Sequence, residues 1–155
     1  MSEGAIESRL KSLGLVLPPV PTPVANYVPF VITGALVFLS GQGPRRPEGG
    51  MFTGKVGGAV SVEEAYSHAR IVGIQLLSAL REAIGDLDRV TRIVKLLGMV
   101  NGVPDFKQHP KVINGCSDLL VEVFEAKGKH ARSAVGMGSL PDDITVEIEA
   151  IVEFK

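Results

Sequence analysis

Residues 144 to 154, ITVEIEAIVEF, constrain the fold more than any other stretch of this chain. Ile144, Val146, Ile148, Ala150 and Val152 alternate with Thr145, Glu147, Glu149, Ile151 and Glu153. Successive side chains of a strand point to opposite faces, so one face of this strand is wholly apolar and the other mostly acidic. Such a strand belongs in a sheet with a covering layer on one side. The rest of the chain must supply that layer and must also account for the uncovered face.

Two segments with helical spacing supply the layer. Ser61 is an N-cap with Glu64 three residues on, a capping box, and Ala65, Ala69, Val72, Leu76, Leu80 and Ile84 then share one face up to Gly85. A second helix is predicted over about 108–125, with Val112, Leu119, Leu120 and Val123 inward. Strands are predicted as a hairpin of about 28–32 and 35–40 around Thr33-Gly34, then RVTRIVKLLGMV, where Arg92 and Lys95 break the alternation, then 132–139 and 144–154, joined around Pro141. Ile6, Leu10 and Leu13 mark a short helix over 5–13 that Gly14 stops, and four prolines within residues 18–23 make the next segment extended. Residues 41–58 hold seven glycines and read as a loop, with Arg45-Arg46 solvated in it.

The order helix, β, β, α, β, α, β, β gives an α+β fold, one mixed sheet with both long helices on the same face. The 155 residues fit a single domain over 1–155, with residues 1–25 as a helix and proline-rich lead-in. A single-layer sheet of this kind commonly closes its second face by self-association, which puts sites between subunits.

Sixteen basic against seventeen acidic side chains, no tryptophan and no basic stripe argue against a nucleic-acid partner. No run is long enough to cross a bilayer, the N-terminal segment lacks the pattern of a signal or transit peptide, and Cys116 is the sole cysteine. A cytoplasmic protein without a membrane partner is expected. His68, His109 and His130 lack paired-ligand spacing, so no metal site is expected. Gly54-Lys55 and Gly128-Lys129 lack the following Ser or Thr of a phosphate loop, and Gly136-Met137-Gly138 runs into Leu140-Pro141 and not into a helix. Cys116 falls inside the second long helix and reads as a buried, inert thiol.

Polar residues on strands remain. Arg132 shares a strand face with Ala134 and Gly136, whose small size leaves a recess where a guanidinium could hold a planar carboxylate. Strand 144–154 is expected as its antiparallel neighbour across the turn, so that Glu147 or Glu149, according to register, comes across from Arg132. An interface ion pair and a ligand site are equally open on these residues.

The stretch ARSAVGMGSLPDDITVEIEAIVEF resembles the C-terminal signature of the Rid/YjgF family of reactive-intermediate deaminases: an arginine strand, a Leu-Pro turn and an E-[IV]-E-A-[IV] strand. NYVPFVITGALVFLSGQGP is similar to the family's tyrosine, hairpin and Ser-Gly-Gln segment, and GDLDRVTRIVKLLGMVNGVPDF to its link from first helix to middle strand. The likeness covers about residues 26–154, and the lead-in resembles a longer branch. It implies a chorismate-mutase-like fold, a homotrimer with clefts between subunits, and hydrolysis of enamines and imines such as 2-aminoacrylate to 2-keto acids and ammonia, with no cofactor. A small imino or keto acid is the implied partner. On the resemblance Arg132 holds the substrate carboxylate and Glu147 orients water. Tyr27, Ser40 and Asn114 contact the substrate, and Glu149 makes a structural ion pair. Ala134 stands where the well-studied deaminases usually have cysteine, so a role for its backbone survives and a role for a thiol does not. A non-catalytic trimer that binds carboxylate metabolites and regulates a partner shares the same arginine.

Overall fold

A computed structural model describes residues 2–155. The capping box forms as its residues predict: the Glu64 amide donates to Ser61 Oγ at 3.1 Å and the Ser61 amide to Glu64 Oε2 at 2.9 Å. The chain runs α1 (Ala5–Ser12), β1 (Phe30–Thr33), β2 (Leu36–Gln42), α2 (Val62–Ile84), β3 (Val90–Val100), α3 (His109–Phe124), β4 (Ala131–Gly136) and β5 (Val146–Phe154). The expected α+β class holds, with one five-stranded mixed sheet in the order β1-β2-β5-β3-β4. β3 and β4 are parallel; the other neighbours are antiparallel.

The order corrects one expectation. β4 and β5 follow one another in sequence but are not partners, because β3 lies between them. β3, α3 and β4 form a parallel crossover unit, and the chain then passes from the edge of the sheet to its centre to insert β5 between β2 and β3. The joint around Pro141, read as a turn between paired strands 132–139 and 144–154, is instead part of that crossing, which runs over residues 137–145. Asp142 and Asp143 adopt positive φ within it.

Alternation on β5 is as the sequence predicts. Val146, Ile148, Ala150 and Val152 are buried on the face that α2 covers, with Leu76, Leu80, Leu96 and Leu119 completing the centre of the core. Arg92 and Lys95 break the pattern on β3 because the pairing with β5 slips at two places, leaving Thr91 and Val94 as extra residues. α2 and α3 approach backbone to backbone. A Cβ on Gly115 would collide with the carbonyl of Tyr66.

The glycine-rich segment is more ordered than its composition suggests. Val56 is fully buried, Phe52 stacks on His68 at 4.3 Å, and His68 Nδ1 meets Thr145 Oγ1 at 2.9 Å. Burial holds the His68 imidazole below its ordinary pKa, which suits a neutral ring in that contact. Arg45 is half-buried and not solvated as expected. The far face of the sheet has no helix: the cross-strand pair Val31 and Phe38 and, on β4, Val135 are all exposed on it.

Candidate functional site

Arg132 pairs with Leu96, Ala134 with Gly98 and Gly136 with Val100. Leu96 and Val100 are buried under the helices, and a Cβ on Gly98 would strike Ile113 of α3, so this row of β4 points to the helical side. Arg132 Nη1 donates to Asn114 Oδ1 at 2.8 Å and to Ser117 Oγ at 3.1 Å, both on α3. Asn114, for which the resemblance implies a contact with the substrate, meets the arginine. Both Nη1 protons are thereby used, and Nε and Nη2 are left to present a fork of donors. No carboxylate among the described residues pairs with this guanidinium.

Behind Arg132 stands a support that sequence reasoning missed. The His130 ring lies 2.6 Å from the carbonyl of Gly128 through Nδ1 and 2.9 Å from Ser117 Oγ through Nε2. A carbonyl only accepts, so Nδ1 carries the proton; Ser117 then donates to Nε2 and accepts from Arg132. Ser117 is three residues beyond Asn114, on the same helical face, which is the signal that could have found it. His109 was also missed: its ring covers Gly136, where a Cβ would fall 2.5 Å from Nε2. Cys116, between these residues, is fully buried, and burial pushes its thiol up to about 12, as an inert thiol requires.

Glu147 lies elsewhere. It pairs with Met99 whereas Arg132 pairs with Leu96, and it occupies the alternate, uncovered face of the sheet. The two residues are two strands and three positions apart, which at about 4.8 Å per strand and about 3.3 Å per residue is well beyond contact. The expected cross-strand approach of Glu147 or Glu149 to Arg132 within one chain therefore does not occur.

Glu147 has its own surroundings. On β2 the pairing slips so that Ser40 and Gly41 together oppose Glu149. The Glu147 carboxylate rests over Gly41, where a Cβ would sit 2.6 Å from Oε2. Burial, followed by the negative charge of Glu149, pushes the Glu147 carboxyl above its ordinary range. Ser40 Oγ donates to the carbonyl of Val28 at 2.6 Å and so ties down the segment carrying Tyr27, whose side chain is exposed. The six residues expected at the site thus form two groups: Arg132, Asn114 and Ala134 under the helices, and Glu147 and Ser40 apart from them, with Tyr27 exposed on the segment that Ser40 ties down. Gly41 belongs with the second. Gly41→Ala leaves the backbone conformation allowed and crowds only the end of a flexible side chain; it should displace the Glu147 carboxylate with little change in melting temperature, visible as a Glu147 proton shift in NMR titration.

Among the described residues no group of three or more His, Cys, Asp or Glu side chains could hold a metal ion. No helix among the described residues is long and apolar enough to cross a membrane.

The sequence profile of the YjgF/chorismate mutase-like family, whose description also carries an unproven endoribonuclease label, matches residues 7–147. The chain belongs to this family. Among YjgF relatives it is similar to protein TCP17 of Trypanosoma cruzi, 42% identical over 156 residues that span 100% of this chain and 98% of that one. It is also similar to the 2-iminobutanoate/2-iminopropanoate deaminase of Salmonella typhimurium, 31% identical over 84% of this chain and 89% of the enzyme. The crystal structure of Atu1372 from Agrobacterium tumefaciens, a protein of unknown function, superposes with a TM-score of 0.88 at 45% identity, covering 97% of this chain and 94% of that one. The YjgF fold, with its chorismate mutase-like sheet and helices, is therefore established for this chain, and one relative is named for imine deamination.

Proposed function

We propose that this protein hydrolyses imines of small amino-acid-derived 2-keto acids, and that each working site is built from two copies of the chain in a homotrimer. The observation that carries the reading is the Arg132 guanidinium: fixed at one nitrogen by Asn114 and Ser117, unpaired by any carboxylate, and beside the small residues Ala134 and Gly136. Its free donors suit the carboxylate of an imino acid such as 2-iminopropanoate, the tautomer of 2-aminoacrylate. Arg132 and Glu147 cannot meet on one chain, and the uncovered face exposes Val31 and Phe38. Association of copies would cover that face and could bring the Glu147 group of one to the Arg132 group of the next.

In the reaction Arg132 holds the carboxylate and so fixes the imine carbon. Glu147 accepts a proton from a water whose oxygen bonds to that carbon while the C=N electron pair takes up a proton from solvent at nitrogen. In the resulting carbinolamine the hydroxyl gives its proton to solvent as the C=O bond forms, protonated Glu147 returns its proton to the nitrogen, and the C–N bond breaks to release ammonia and the 2-keto acid. Positioning and general-base assistance suffice because the imine is already electrophilic. Ala134 supplies backbone and space, and no thiol takes part.

The test generates imino acids of different side chain in the assay and follows keto-acid release with the protein present and absent. Acceleration is expected for at least one of them, and none at any would overturn the proposal. Thermal stabilisation by 2-keto acids without turnover would instead support the non-catalytic carboxylate binder, which needs only the Arg132 half.

Glu147 must be ionised to accept the proton, so the rate should fall as pH drops through its raised pKa, with the acidic limb above the ordinary glutamate range. Glu147→Gln should lose most of the rate and that limb together. Stability moves the other way. A carboxyl whose folded pKa is raised favours folding below its unfolded pKa and loses that contribution as pH rises through the folded value. Glu147→Gln should therefore raise the melting temperature at pH 7 relative to wild type, and the difference should shrink near pH 4.

A further inference from the structure

Beside α2 the chain forms a groove of about 540 Å³ whose lining includes neither Arg132 nor Glu147. One wall is the proline-rich strap, with Val16, Pro18 and Pro19, and the floor is Ile71 and Ile74 of α2. Leu15, Leu17 and Val20 pack against the core and fix the strap in place, so the groove is preformed. Such a volume suits a small molecule; a helix about 10 Å across would not enter it.

Two arginines stand at the groove, and they differ. Arg46 is neutralised: its Nη2 pairs with Glu48 at 2.6 Å and its guanidinium lies over the Phe52 ring at 5.6 Å. Arg45 has no carboxylate partner among the described residues. It is nevertheless held. Its Nη1 donates to Gln42 Oε1 at 3.2 Å and its backbone amide to Gln75 Oε1 at 3.0 Å. Buried Gln75 donates in turn to Gln42 Oε1 at 3.1 Å and to the Gly43 carbonyl at 2.8 Å. A half-buried guanidinium without a counter-charge loses solvation, and burial does lower the Arg45 pKa. Because arginine does not lose its proton at working pH, an anion is the partner that offsets this cost.

We infer that this groove is a second ligand site, one that takes a free amphipathic carboxylate, with the carboxylate on Arg45 and an acyl or aryl tail along Ile71, Ile74 and the proline strap. The site rests on residues separate from Arg132 and Glu147, and it stands whether or not imines are hydrolysed.

Octanoate is the probe, titrated into the full chain by calorimetry, with octan-1-ol as the partner lacking a charge. Octanoate should bind, and Arg45→Gln should weaken it at least about tenfold, the usual scale for losing a charge-assisted pair. Octan-1-ol should bind more weakly than octanoate and respond little to that change. Arg132→Ala should leave octanoate affinity within about twofold, which separates this groove from the Arg132 site. Octanoate that fails to bind at several millimolar, binds no better than octan-1-ol, or is lost in Arg132→Ala would overturn the inference. If Arg45→Gln does not fold, Ile74→Glu puts a carboxylate inside the groove; octanoate binding to folded Ile74→Glu at wild-type affinity would overturn it equally.

Discussion

Arg132→Ala should lower kcat/KM for imine hydrolysis by about a hundredfold or more, the scale expected when the group that positions a substrate is removed. Much of the loss should appear in kcat, since a substrate that still enters the cleft no longer presents its imine carbon to the water. Arg132→Lys should recover part of the rate, because an ammonium keeps the charge but lacks the fork. Neither change should cost much stability. Arg132 is only partly buried, and Asn114 and Ser117 can hydrogen-bond water in its absence. Parallel melting curves would show whether lost activity reflects the site or the fold. Wild-type activity in folded Arg132→Ala would refute the clamp.

Gly115→Ala should be the more damaging change to the fold. The added methyl would meet the Tyr66 carbonyl at bonding range and lie 3.1 Å from the Arg70 amide, so no side chain can swing aside to admit it. α3 would have to retreat from α2, opening the layer that holds Leu119, Cys116 and Ile113. A loss of about 3 kcal/mol or more is expected, at the upper end of overpacking costs, read from the urea midpoint at unchanged m-value. Asn114 and Ser117 flank Gly115, so any Gly115→Ala protein that still folds should hold Arg132 in a shifted position. A midpoint within experimental error of wild type would show that the two helices have slack to give.

Much of the architecture could be read in advance because its signals are local. The Ser61 to Glu64 box, the Gly85 stop and the alternation of β5 each depend on residues a few positions apart. Strand order is not local, and there the sequence misled. The Leu140-Pro141 turn suggested neighbouring strands, whereas the position of β5 is settled by which edge offers the longer apolar ladder. At the centre of the sheet β5 pairs on both sides, with β2 and β3, and Val146, Ile148 and Ala150 are buried against α2.

The site was legible residue by residue and not as a constellation. The chemistry of Arg132 and its small neighbours was visible in one strand, but Asn114 and Ser117 reach it from α3, and no local spacing joins that helix to β4; His130, two residues before Arg132, acts through Ser117. Conversely, closeness in sequence suggested that Glu147 or Glu149 faces Arg132, when alternation and an intervening strand put both on the other side of the sheet. Arg45, taken for a solvated loop residue, is held by glutamines 3 and 30 positions away.

The central place of β5 also sets an order of events during synthesis. β2 and β3 are both made well before the strand that joins them, and the contacts of β2 with β5 span more than a hundred residues. Closing loops of that length makes for slow, non-local folding. Until residues 146–154 leave the ribosome, two ladders stay open at the middle of the sheet, where they can capture other chains. The strand that carries Glu147 is therefore also the keystone of the sheet, and a nascent chain should gain protease resistance abruptly, once that strand emerges.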